Sequence, residues 1–481
     1  MSVKQETVTK TIETKKQRAT FWNALLARHG IIAYLPIIAI NMLMFYFTSW
    51  QFLWLNTDPA RYQCYALTYW MGSTGAQFLP AAQCSFLHIS TEVQPPLHML
   101  PLEYPPLALV IFSLPIFAPL LYYQLVFAVL MALVSTFIYW LLLRFGPRGS
   151  ALGLVFYIFI GVLALVQERF DLVPAALTLL CLIAAERKYW TFAYIALAFG
   201  FLIKIYPILF LPALFIAEQQ DRHSIYISEQ VSTLKSLPLE LWHTLLSIRY
   251  WHWKNTLLFF SLVLGITGFF AIFNFKGAIL SQLSYFANRP LQVESIGSTL
   301  LWLGTLIGFP VHIVFTFGSI NIVSVLGGAV SNLSEILFIA GYIYSIYLLW
   351  RGKLDIVQTC IALLLIFIAT GKVFSPQYLI WVIPLLAYSG AFDVLWLVVW
   401  GGISLLTTII YPYFYTRIID SARIPYLPGF IQIVSARNML FVFLTLAYLL
   451  NWFHIRRRHA LPTHEKILDK HEESASHNNG K

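Results

Sequence analysis

The stretch LEYPPLALVIFSLPIFAPLL, residues 102–121, decides how the rest of the chain is read. Hydropathy alone makes it a membrane span. Its uninterrupted apolar part runs only from Leu107 to Leu114, however, well short of the roughly 20 residues that cross a bilayer. Pro105 and Pro106 open it, Pro115 and Pro119 interrupt it, and Glu103 sits at its mouth. Proline removes a helical donor and pushes the preceding residue out of the helical region. The stretch therefore reads as a short, proline-bounded helix at the membrane surface, closing a large first loop. Counting it as a span would invert every later loop.

The chain has 481 residues, 59% hydrophobic and 11% charged, which no soluble globular domain matches. It reads as an all-α polytopic membrane protein. Aromatic residues make up 16%, with 15 Trp and 26 Tyr, suited to many membrane–water interfaces. The net charge of +10 fits loop topology and anionic headgroups better than nucleic acid.

Twelve apolar runs, with a range of 11–13, are expected to span: Ile31–Leu55, Leu120–Leu143, Gly149–Val166, Leu172–Ala185, Tyr189–Ile203, Ile205–Ala217, Thr256–Phe275, Leu333–Trp350, Ile356–Thr370, Tyr378–Ser389, Val394–Tyr411 and Leu440–Phe453. A further run, Leu300–Phe317, reads as re-entrant or interfacial. Residues 1–30 form a polar tail without a signal-peptide core, and 456–481 a second polar tail. Placing both tails in the cytoplasm puts 22 of the 31 Lys and Arg on that side. The outer loops 56–119, 276–332 and 412–436 are then rich in Asp, Glu, Gln, Tyr and Pro, and the chemistry is expected there. The long inner loop 218–254 is expected to lie along the membrane surface.

Polar groups gather at the outer edges of the spans. Asp58 follows the first run directly, in NTDPARYQCYALTYWMGS (56–73). It reads either as a helix cap before Pro59 or as a general base. Glu103 is a second acid. In QERFDLVPA (167–175), Glu168, Arg169 and Asp171 form either a solvated turn, with Arg169 and Asp171 paired, or part of a site. Lys204 is flanked by apolar residues on both sides, which marks a functional residue unless its amine snorkels to the interface. Arg289, Gln292, Glu294 and Ser295 lead into one apolar stretch, and Lys372, Ser375, Gln377 and Tyr378 into another. Acids, cations and aromatics on one face suit a lipid-linked anionic substrate.

The 12 His are scattered, and there is no HExxH, Asp-x-Asp or Gly-rich phosphate loop. Metal and nucleotide chemistry thus find no support, and no cofactor is expected. Cys181 and Cys360 fall inside spans and read as packing residues. Cys64 and Cys84 share the first outer loop, where an oxidising compartment would allow a disulfide.

Five stretches in order, EYPPLALVIFSLP (103–115), ERFDLVPAALTLL (168–180), IKIYPILFLP (203–212), RPLQVESIGSTLL (289–301) and FSPQYLIWVIPLLA (374–387), resemble glycosyltransferase family 87. The resemblance covers roughly residues 30–455. It implies a GT-C-type bundle with an enlarged first extracytoplasmic loop, in the cell membrane. It also implies transfer of a hexosyl group, chiefly mannose, from a polyprenyl-phosphate sugar to an extracytoplasmic lipid or glycan acceptor. The family's catalytic Asp near the start of that loop matches Asp58, with Tyr62 following as Asp-x-x-x-Tyr. Arg289, Lys204 and Lys372 are then expected at the donor phosphate. Glu103, Tyr104, Tyr62, Arg169, Asp171, Gln292, Glu294, Gln377 and Tyr378 are expected around the acceptor or behind the first contacts. The segment AAQCSFLHISTEVQPPLHML (81–100) departs from the compact loop form. The rival readings are a non-catalytic lipid or glycan translocator and a GT-C-type glycan polymerase or ligase.

Overall fold

The computed structural model describes residues 30–450 apart from 56, 88–92, 164, 223–247, 391–393 and 419. Both polar tails and most of the long loop 218–254 lie outside the described residues. The chain is mostly helical: α1 (Leu35–Thr48), α2 (Asp58–Met71), α3 (Ala108–Ser113), α4 (Tyr123–Phe145), α5 (Ser150–Gly161), α6 (Leu172–Glu186), α7 (Trp190–Ile203), α8 (Leu211–Asp221), α9 (Lys254–Phe275), α10 (Ser281–Asn288), α11 (Ile296–Thr305), α12 (Gly327–Trp350), α13 (Ile356–Thr370), α14 (Tyr378–Ser389), α15 (Val394–Thr408) and α16 (Phe430–Leu449).

Six helical stretches are long and apolar enough to cross a membrane: Ile31–Gln51, Leu120–Phe145, Lys254–Asn288, Gly327–Trp350, Trp396–Phe414 and Phe430–Leu449. The protein is multi-pass. The other apolar helices, α5, α6, α7, α13 and α14 among them, are shorter than an ideal span. These short helices hold much of the core. In α13 and α14 almost every side chain is buried, as expected of helices that are apolar all round. The long helices α9 and α12 have few buried side chains and lie on the outside of the bundle.

The stretch 102–121 is no continuous helix. α3 covers Ala108–Ser113, a tighter turn follows over Leu114–Phe117, and the chain straightens at Ala118 before α4. Pro115 and Pro119 sit at those transitions. The run 300–317 is also broken. Its first part belongs to α11, and its end enters a small antiparallel sheet of β1 (Leu291–Gln292), β2 (Val311–Thr316) and β3 (Ser319–Ser324), in the order β1–β3–β2. An all-α reading missed this sheet because its strands follow an apolar helical run without a break in hydropathy. The β2–β3 hairpin turns at Phe317 and Gly318, both at positive φ.

A candidate active site at one end of the bundle

At one end of the bundle, α2, the Glu103–Tyr104 segment, the turn before α6, the turn after α7, the β2–β3 hairpin and the ends of α10 and α14 surround a polar cavity of about 220 Å³. Its lining includes Asp58, Arg61, Glu103, Tyr104, Arg169, Lys204, Arg289, Gln292, Glu294, Gln377 and Tyr378. The loops 56–119 and 276–332 and the turn 167–171 thus converge, although up to 236 residues (58 to 294) separate their charged groups.

Asp58 is not the cap of α2. Thr57 is: its hydroxyl accepts from the Ala60 amide at 3.2 Å and donates to Gln124 at 2.6 Å. The Asp58 carboxylate is therefore left for other partners. Its Oδ2 contacts the Arg169 guanidinium, while Oδ1 has Arg61 at 3.8 Å, beyond hydrogen-bond range. Arg169 therefore pairs with Asp58 rather than with Asp171, and the turn that carries it is buried, not solvated. Arg61 also pairs with Glu103 and lies over the Phe86 ring at 4.7 Å. Burial opposes the Arg61 charge, but Glu103, Tyr104 and Asp58 outweigh it and push its pKa up.

Asp171 is fully buried. It accepts from Lys204 Nζ at 2.5 Å and from Trp381 Nε1 at 2.6 Å. The Lys204 amine lies 4.6 Å from the Phe170 ring centre and 5.4 Å from that of Trp381. Lys204 thus neither snorkels nor stands alone: a buried carboxylate and aromatic faces hold it. Asp171 itself lies behind the cavity wall.

Glu168, buried beside Arg169, has its carboxyl pushed up to about 8, mainly by burial, with Arg169 opposing and Asp58 adding to the shift. Glu294 is raised by burial against the pull of Arg437 and Tyr415. The Tyr415 hydroxyl donates to it at 2.6 Å, and the fully buried Arg437 approaches at 3.6 Å. Arg437 and Asn438 also grip the Glu294 main-chain carbonyl. Gln292 is fixed in the sheet, its side-chain oxygen accepting from the Phe374 amide at 3.0 Å. Tyr378 stacks on Trp381 with ring centres 4.0 Å apart.

Arg289 stands differently. It donates to Ser319 at 2.9 Å and lies over Tyr285, and its Nε is buried without a partner. Of the four cations lining the cavity, Arg61, Arg169 and Lys204 each have a carboxylate within 4 Å. Among the described residues Arg289 has none.

Besides Asp171, two expected site residues lie outside the lining. Lys372 is outside the lining, 3.5 Å from the Ala287 carbonyl and 3.9 Å from Glu335, because its main chain is pinned to β1. Tyr62 is fully buried and stacked on Phe112 at 4.4 Å. Cys64 and Cys84 are joined, with their Cα atoms 5.8 Å apart, and tie α2 to the loop that carries Phe86. Sequence reasoning passed over Arg61, Tyr285, Tyr411, Tyr415 and Ser319. Only Arg61 had a local signal, its three-residue spacing from Asp58.

The family model described as glycosyltransferase family 87 matches residues 102–227. That segment contains Glu103, Arg169, Asp171 and Lys204, while Asp58 and Arg289 lie on either side of it. No curated protein matches the chain.

Proposed function

We propose that this chain, a member of glycosyltransferase family 87 and hence a membrane glycosyltransferase, moves a hexosyl group, mannose by resemblance, from a polyprenyl-phosphate sugar to a lipid or glycan hydroxyl. The observation that carries this reading is the pairing pattern in one cavity: among the described residues, Arg169 orients Asp58 and leaves Oδ1 without a hydrogen bond, while Arg289 has no carboxylate partner. A carboxylate so placed suits a general base. An unpaired guanidinium suits a phosphate, which it can grip with two hydrogen bonds.

In the proposed step the acceptor oxygen bonds to the anomeric carbon while the bond from that carbon to the phosphate oxygen breaks. The hydroxyl proton passes to Asp58 Oδ1, and polyprenyl phosphate departs with both bonding electrons. Attack from the face opposite the phosphate inverts the centre, so a β-linked donor gives an α-linked product. Charge growing on the leaving phosphate meets Arg289, in a cavity whose groups are already oriented. Twelve spans, both termini in the cytoplasm and the cavity on the extracytoplasmic face complete the proposal. They agree with the basic bias of the loops on the other side.

Purified protein incubated with polyprenyl-phosphate mannose and a panel of hydroxyl acceptors tests it. Release of free polyprenyl phosphate together with a mannosylated product is expected. Movement of intact lipid between leaflets, with no cleavage, would assign the chain to translocation instead.

A further inference from the structure

An apolar trough runs down one flank of the bundle and ends at the polar cavity. Its part nearest the cavity has a volume of about 670 Å³ between the α5 side (Phe156, Phe159, Leu165) and α15 (Leu397, Gly401, Leu405). A second part lies between α1 (Pro36, Leu43) and α5 (Leu152, Val155). Phe156 and Phe159 line both, so the two adjoin along α5. From Leu152 to Gly161 the trough follows α5 for about 14 Å at the helical rise, close to half of the roughly 30 Å hydrocarbon core. Phe159 and Leu405 are more than half exposed along it.

Tyr411 lines both the trough and the polar cavity. Its charged neighbours are Glu168, Arg169 and Asp58. Arg289 keeps company instead with Tyr285, Tyr378 and Ser319 on the hairpin side. A lipid whose chain lies in the trough therefore brings its head group first to Asp58. In glycosyl transfer the group beside the base is the acceptor hydroxyl, whereas the donor's phosphate belongs with the free cation.

We propose that the trough holds the alkyl chain of a lipid-linked acceptor and delivers its hydroxyl-bearing head past Tyr411 to Asp58. This rests on reading Asp58 as the base, but its test reads binding and needs no turnover.

The full chain is placed in nanodiscs with a hexosyl diacylglycerol carrying a diazirine on one acyl chain, irradiated, and mapped by peptide mass spectrometry. Adducts are expected on peptides containing Phe159 and Leu405. Excess unlabelled hexosyl diacylglycerol should displace them and undecaprenyl phosphate should not. Gly401→Phe should reduce labelling at least tenfold, since a Cβ there meets only Ile160 Cδ1, at 3.9 Å, and the ring grows into the trough. Gly401→Ala should label normally. Displacement by undecaprenyl phosphate would assign the trough to the donor and overturn the proposal. Labelling that neither lipid displaces would mean bulk membrane lipid only, and would overturn it too. Both competition arms use the unaltered chain, so they stand if Gly401→Phe fails to assemble. Asp58→Asn should still label, so a failure of the base assignment would show in turnover and leave labelling intact.

Discussion

Replacing Asp58 with Asn tests the central assignment with little change in shape. Thr57, not Asp58, caps α2, so the substitution leaves the start of the helix intact. The Asn carbonyl can still accept from Arg169. What is lost is the charge, and with it the difference between a charge-assisted and a neutral hydrogen bond, about 1–2 kcal/mol. Because the Asp58 and Arg169 side chains keep 16% and 17% exposure, the loss should fall well below the 3–5 kcal/mol seen for a broken, fully buried pair. A general base contributes about 10²–10⁴ in rate, equal to about 2.7–5.4 kcal/mol of barrier. The catalytic loss should therefore exceed the stability loss. With labelled polyprenyl-phosphate mannose and saturating acceptor, kcat is expected to fall at least a hundredfold. The melting temperature should drop by only a few degrees, and the size-exclusion profile should stay unchanged. Turnover within threefold of the parent would remove Asp58 as the base.

Arg289→Ala should raise the KM for donor roughly 10–100-fold, the worth of one or two charge-assisted hydrogen bonds. Lys should restore only part of that, lacking the guanidinium fork, and an unchanged donor KM would refute the phosphate role. Glu168 is neutral below about pH 8 and ionises above it, adding a negative charge beside Asp58 and competing for Arg169. Activity should therefore decline as pH rises through 8, and Glu168→Gln should flatten that decline; a Gln variant with the parent's profile would count against it. Opening Cys64–Cys84, by reductant or by a double Ser variant, frees the loop that seats Phe86 under Arg61. Closing a loop of this size is worth about 3 kcal/mol, so the melting temperature should fall clearly and transfer should weaken, while unchanged melting would refute the link.

The sequence made some of this legible and hid the rest for physical reasons. The prolines around Leu107–Leu114 announced a short helix because their effect on the backbone is local. Lys204 stood out because a charge among apolar residues must have a partner, yet its partner, Asp171, lies in the turn before α6, 33 residues away. Nothing local distinguished an Asp171 that pairs with Arg169, two residues back, from one that pairs with Lys204. The same limit hid the clamp on Glu294, whose Tyr415 and Arg437 come from more than 100 residues downstream. The β2–β3 hairpin was hidden differently: its residues are apolar enough to read as helix, and only the left-handed turn at Phe317–Gly318 separates the strands. Lys372 falls outside the lining because its main chain is held to β1 while its side chain turns toward Glu335, an arrangement that sequence position cannot show.

The pairing of charges suggests how proton transfer and phosphate departure are coupled. Arg61 holds Glu103, Arg169 holds Asp58, Lys204 holds Asp171 and Arg437 stands by Glu294. Arg289 is left over, one cation for the single negative charge of a sugar phosphodiester. When the glycosidic bond breaks, the leaving phosphate gains a second charge, and one guanidinium no longer suffices. At that moment the acceptor proton neutralises Asp58, so Arg169 loses its carboxylate partner inside the same cavity. The charge that vanishes from Asp58 reappears on the phosphate, and Arg169 becomes free to follow it. On this account Arg169 acts chiefly in the transition state. Arg169→Ala should then lower kcat far more than it raises the donor KM, the reverse of Arg289→Ala. Identical kinetic signatures for the two variants would break the coupling argument while leaving Asp58 as the base.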